Sequence, residues 1–142
     1  MKSLIILLFG ILVSNSLSAN VSVEQLELLY SKPSVFESKP ESEWLAQSEN
    51  AFVIKSKYPQ APVHLLVIPK ERVPTILQAS EALIGEMFSL ARKVAKENGI
   101  VQDGFRIIIN THPYGGQSVY HLHIHVLGGK ELGWAPGFRL TD

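Results

Sequence analysis

Between Tyr120 and Val126 the chain reads Tyr-His-Leu-His-Ile-His-Val, with histidine at every second position and an aliphatic residue between. A period of two belongs to a strand, whose successive side chains leave opposite faces. His121, His123 and His125 are therefore expected on one face, with neighbouring Cα atoms about 6–7 Å apart. Leu122, Ile124 and Val126 are expected on the other. One face suits burial beneath a covering element, and the opposite face suits proton chemistry. No other segment restricts the fold so narrowly.

The remaining patterns supply the rest of a sheet and its cover. Ala51–Ser56 and Val63–Ile68 are β-rich runs joined by Tyr58-Pro59-Gln60-Ala61-Pro62, where proline prevents regular pairing. Phe105–Asn110 and Val119–Leu127 are two further strands, and Trp44–Ala46 is a short one. Ser80–Asn98 reads as a long helix with Ser80 at its N-cap, an apolar stripe through Leu83, Met87, Leu90 and Val94, and Gly99 as its stop. Glu86, Ser89, Lys93 and Lys96 are left for solvent, and Lys70, Glu71 and Arg72 read as a solvated turn. The order strand, strand, helix, strand, strand predicts an α+β fold: an antiparallel sheet with one long helix on a face. Val21–Ser31 has helical spacing, and Ser31–Ser42, with two prolines and four serines, reads as a linker or surface loop.

A chain of 142 residues has room for one core. Zero formal net charge gives no reason to expect a nucleic-acid partner, and the absence of cysteine excludes disulfides, thiolate metal sites and a cysteine nucleophile. Met1-Lys2, the apolar run Leu4–Val13 and the small polar stretch Ser14–Ala19 follow the order of a secretory signal. The plan is a signal peptide over 1–19, an N-terminal helix and linker over 20–43, and one folded domain over 44–142. Export, to a periplasm or outside the cell, is the expectation. A cytoplasmic location follows if the signal does not function.

Three alternating histidines admit three readings: partly buried polar side chains, a metal site, or imidazole acting as nucleophile and acid–base. Gly115-Gly116-Gln117-Ser118, a glycine-rich turn feeding directly into the histidines, favours the last. Such a turn brings backbone N–H groups and small donors close to an anion. At this point a family resemblance enters. The run from Gly115 through the three histidines to Gly128-Gly129 resembles the signature of the histidine-triad (HIT) family, in its Hint branch of purine nucleoside phosphoramidase type. Tyr58–Lys70, with His64, resembles a second block of that branch, and Asn110 and Trp134-Ala135-Pro136-Gly137 match as well.

The resemblance implies a HIT-like fold, a homodimer, no metal or cofactor, and a small phosphate ester or phosphoramidate as substrate, a purine nucleotide among the candidates. It implies that His123 is the nucleophile and forms a nucleotidyl-histidine, that His125 contacts phosphate oxygens, and that His121 and His64 orient the network. Ser118 matches a residue that protonates the leaving amine, while Asn110, Gly116 and Gln117 fall where phosphate or ribose is held. Trp134 is placed to close over the pocket of a partner subunit or to anchor the C-terminal tail. Ser56 occupies the position of the family's ribose-binding carboxylate, between Lys55 and Lys57, and suits a more anionic ligand. The stretch before Trp44 lacks the family's usual N-terminal block, and Gly133 replaces a common histidine. Beside hydrolysis stand two alternatives, an exported phosphate- or nucleotide-binding module with little turnover and an exported metal-binding protein.

Overall fold

The computed structural model describes residues 20–134, so the expected signal over 1–19 and the end of the Trp134-Ala135-Pro136-Gly137 motif lie outside the described residues. Within them, α1 (Val23–Tyr30) leads through a 3-10 turn at Glu41–Glu43 into β1 (Ala46–Gln47), β2 (Ala51–Lys55) and β3 (Val63–Pro69). The long helix α2 (Glu81–Glu97) follows, then β4 (Phe105–Ile108) and β5 (Ile124–Gly128). All pairings are antiparallel, in the order β1-β2-β3-β5-β4. This is the expected α+β architecture. Among the described residues no helix is long and apolar enough to cross a membrane.

Capping sets the bounds of both helices. The Ser22 hydroxyl accepts from the Gln25 N–H while the Gln25 side chain accepts from the Ser22 N–H, a reciprocal box that starts α1. Ser80 accepts from the Leu83 N–H and starts α2, which ends at Gly99 with φ +68°. Met87, Leu90, Ala91, Val94 and Ala95 of α2 pack on Val53, Leu65, Val67, Leu122, Ile124 and Val126. Each large aliphatic side chain taken from water there contributes about 1.5–3 kcal/mol. Glu86, expected in solvent, instead accepts hydrogen bonds from the Ser48 hydroxyl (2.6 Å) and from both the backbone and side chain of Asn50 (2.6 and 2.9 Å). It fastens the β1–β2 turn to the helix, and those bonds hold its carboxyl below the usual range.

The opposite face of the sheet is also covered. Phe36 packs on Phe52, Ile54, Leu66 and Ile68, and the Trp44 ring stacks on Phe52 with centroids 4.4 Å apart. Ser34 and Phe36 are buried, so the stretch read as a linker is part of the packed domain. One phenylalanine among serines, prolines and charges has no periodicity to reveal it.

The histidine strand is shorter than its alternation predicts. Pairing of β3 with β5 stops at Val67↔Ile124 because Pro69, at the end of β3, has no N–H to offer a ladder. Residues 119–123 continue outside the ladder, held by the Leu122 N–H donating to the Val73 carbonyl at 2.6 Å. Sidedness survives: Leu122 joins the helix-side core, while His121 and His123 meet Phe36 on the other face.

Arg72 is likewise not a solvated turn residue. Its Nε donates to the Tyr120 carbonyl (3.1 Å) and its Nη2 to the carbonyls of Tyr30 (2.7 Å) and Lys32 (2.5 Å), with Glu37 at 3.6 Å. One guanidinium thus ties the end of α1 to the histidine segment. Arg72→Met, which keeps the stem but removes every donor, is expected to cost about 2 kcal/mol in urea unfolding. It should also make the chain near Lys32 a preferred site of limited proteolysis.

Candidate active site

Four imidazoles lie on the Phe36 face of the sheet, and the partners of each ring determine where its proton sits. The His121 Nε2 is 2.8 Å from the Pro69 carbonyl, which can only accept, so Nε2 carries the hydrogen. Burial keeps the ring neutral by lowering its pKa. Nδ1 then accepts from the Ser34 hydroxyl at 2.9 Å, and Ser34 accepts in turn from the Phe36 N–H at 3.1 Å. Every polar atom of this buried ring is satisfied, and none of it is left for a ligand.

His123 is fixed by its own neighbour. Its Nδ1–H donates to the His121 carbonyl, two residues back, at 2.8 Å. Burial also lowers its pKa, so the ring is neutral and Nε2 carries a lone pair. Phe36 packs edge-on against it with centroids 5.2 Å apart.

The second pair runs through β3. The Gln60 N–H donates to His64 Nδ1 at 3.0 Å, which places the His64 proton on Nε2. That proton is donated to His125 Nδ1 at 2.9 Å. The hydrogen of His125 is therefore on Nε2, a buried atom without a hydrogen-bond partner among the described residues. Desolvation, with the neighbouring His123 and His64, holds the His125 pKa down to about 4. The site thus presents a lone pair on His123 beside an unspent N–H on His125, with ring centroids 4.9 Å apart.

His123, His125 and His64 border a cavity of about 550 Å³ that Ser118, Ser56 and Gln60 also line. Val35 and Phe36, from the stretch before Trp44, line it too. The other expected ligand residues are not all brought here. Asn110 lines a neighbouring cavity of about 500 Å³ on the far side of the His64–His125 pair. Gln117 is buried, with its amide nitrogen donating to the Pro74 and Val119 carbonyls and its oxygen accepting from the His112 N–H. Its side chain braces the loop rather than facing a ligand, because every group it carries is already bonded.

Gly116 shapes the same loop. It has φ +77°, and its N–H donates to the Pro113 carbonyl, while the Gln117 N–H donates to that of His112. Those two amides close the turn and are not free for an anion, contrary to expectation. A Cβ on Gly115 would lie 2.1 Å from the Thr111 carbonyl oxygen, so the first glycine is needed for close approach. His112 Nε2 meets the Tyr30 hydroxyl at 2.7 Å. Trp134 is 92% exposed. Ser34, Phe36 and Gln60 are the contributors that pattern reasoning missed, since each acts through a backbone or ring contact with no spacing rule. Among the described residues no group of three or more His, Asp and Glu side chains is arranged to hold a metal ion.

Ser34→Ala leaves His121 Nδ1 buried without its donor and is expected to cost about 1–3 kcal/mol in denaturant unfolding. Acid should weaken the fold as a whole. The unfolded histidines protonate near pH 6.5, whereas the folded rings of His64, His121, His123 and His125 do so only lower, His125 at about 4. Between those values the unfolded chain binds more protons, so stability present above pH 6.5 is lost as pH falls toward the folded values. Thermal melts are expected to show Tm falling between pH 7 and pH 5, a range set by about 6.5 as the unfolded histidine pKa.

Comparison with known proteins identifies the family. A model of the HIT domain matches residues 37–132. The purine nucleoside phosphoramidase of Escherichia coli is 39% identical over 110 residues, covering 75% of this chain and 91% of that protein. The crystal structure of a HIT family hydrolase from Legionella pneumophila superposes with a TM-score of 0.64 at 32% identity, covering 81% of this chain and 95% of that one. A histidine triad protein from Clostridium difficile gives 0.61 at 31% identity, covering 76% and 87%. With its four imidazoles on one face of the HIT fold and the family model covering most of its length, this chain belongs to the HIT domain family.

Proposed function

We propose that the protein hydrolyses a phosphoramidate or related phosphate bond of a small molecule, a purine nucleotide derivative in the leading case, through a covalent phospho-histidine on His123. The observation that carries this reading is the His123 Nδ1–H donated to the His121 carbonyl at 2.8 Å. It leaves an uncharged nucleophilic nitrogen on a cavity wall. The names of the relatives, a phosphoramidase and a hydrolase, support the same class of chemistry.

In the proposed reaction, His123 Nε2 attacks phosphorus as the P–N bond breaks. The leaving amine takes a proton from the Ser118 hydroxyl, which lines the same cavity. The His125 Nε2–H, without a partner among the described residues, is donated to the phosphoryl oxygen where negative charge grows. Water then attacks the phospho-histidine, releases phosphate ester, and restores the hydroxyl and imidazole. His64 holds His125 in the tautomer with hydrogen on Nε2, and His121 holds His123 through its carbonyl. The scheme calls on no metal or cofactor.

His123→Ala is expected to lower turnover of a fluorogenic adenosine phosphoramidate by at least about a thousandfold while retaining nucleotide binding. Wild-type protein that binds nucleotide tightly without any turnover would instead establish a binding module. Because burial depresses the histidine pKa values, kcat/KM is expected to hold steady below pH 6.5, the ordinary histidine value, and to decline only at more acidic pH. An acid limb centred at or above that value would remove His123 as the neutral nucleophile.

The proposal extends to assembly and location. β4 is an edge strand and Trp134 is exposed, which supports a homodimer completed by the partner's surface. Export by residues 1–19 is testable by N-terminal sequencing of the processed protein, with Asn20 expected first.

A further inference from the structure

Among the described residues His112 is the one non-glycine with a left-handed backbone, at φ +61°. That conformation crowds the Cβ of an L-residue, whereas glycine adopts it freely. A side chain persists there only where its surroundings hold it. For His112 the holding contact is the ring itself. Its Nε2 lies 2.7 Å from the Tyr30 hydroxyl, 82 positions away, with the ring centroids 6.1 Å apart.

Tyr30 is anchored in its turn. Its ring packs against Tyr120 with centroids 5.6 Å apart, and its carbonyl accepts from Arg72 at 2.7 Å. The Gln78 amide nitrogen also donates to its hydroxyl at 3.5 Å. His112 passes this anchorage on to the loop. Its N–H donates to Gln117 Oε1 at 3.0 Å, and its carbonyl accepts from the Gln117 N–H at 3.0 Å. Ser118 is the next residue, and it lines the His123 cavity, which neither Tyr30 nor His112 reaches. The end of α1 is thus joined to the proposed proton donor through one hydroxyl, one imidazole and the two bonds to Gln117.

We infer that Tyr30 and His112 are positioning residues for protonation of the leaving group. Their contact fixes the bend at His112 and so presents the Ser118 hydroxyl to the departing amine. This role rests on the reading of Ser118 as the donor to that amine.

The need for a proton depends on the leaving group, which separates placement of Ser118 from general stability. An alkyl amine leaves phosphorus only with a proton, whereas 4-nitrophenolate leaves as the anion. The test is kcat/KM for an adenosine 5′-N-alkylphosphoramidate and for the 4-nitrophenyl ester of adenosine 5′-monophosphate, both on the full chain. Because one preparation meets both substrates, any loss of folded protein lowers the two alike. Ser118→Ala is expected to lose about a hundredfold on the phosphoramidate and less than about twofold on the ester. Tyr30→Phe, which removes one oxygen and keeps the packed ring, should lose about tenfold on the phosphoramidate alone. His112→Gly suits φ +61° and removes the tether, and should show the same selectivity. The Tyr30→Phe/His112→Gly double variant should stay within about twofold of either single variant, since both delete one contact. Equal losses on both substrates, no loss on the phosphoramidate, or multiplied losses in the double variant would overturn the inference. Wild-type turnover of both compounds with unselective variants leaves hydrolysis standing and sinks this role alone. A wild type that turns over neither removes the hydrolytic reading and this role with it.

Discussion

The structure depends on carbonyl oxygens deciding which nitrogen of His121 and of His123 holds its hydrogen. The Pro69 carbonyl commits His121, and the carbonyl of His121 commits His123. A carbonyl has no hydrogen to give, so neither ring can flip or exchange tautomer without losing a buried bond. The cost of losing it is high because the rings lie out of water, where an orphaned polar atom has no substitute partner. Backbone geometry thereby sets the chemical character of the site before any ligand arrives.

That arrangement requires the face opposite α2 to be sealed as well. Phe36 and Trp44 supply the seal, and the same Phe36 ring touches His121 and His123. Exclusion of water depresses the basicity of the imidazoles, and at His123 this outweighs the hydrogen bond to the His121 carbonyl, which acts the other way. Packing and reactivity are therefore one property here. A looser cover would admit water, raise the basicity of the rings and blunt the nucleophile.

Much of this was legible from residue order. The period-two histidines announced their common face, and the stripe through Leu83, Met87, Leu90 and Val94 announced α2. What stayed hidden were contacts made across long separations by residues with no pattern of their own. Ser34 reaches His121 over 87 positions, and Arg72 reaches Tyr30 over 42. A serine in a polar stretch and an arginine in a charged turn look solvated until the fold places acceptors and donors beside them. Gln117 shows the converse: its place beside the glycines suggested a ligand donor, yet the loop itself consumes its amide. The shortening of β5 follows from Pro69 on a different strand, which strand periodicity alone does not register.

The guanidinium of Arg72 also bears on how the molecule comes together. Its acceptors belong to segments separated by ninety positions, from Tyr30 to Tyr120, so it can bridge them only after the sheet and α2 are assembled. Contacts of such span form late, because closing the intervening loop carries the largest entropic cost. The strap over the imidazoles is thus a finishing step. A nascent or partly opened chain lacks the dry enclosure that makes its histidines reactive, and competence arises together with the completed native state.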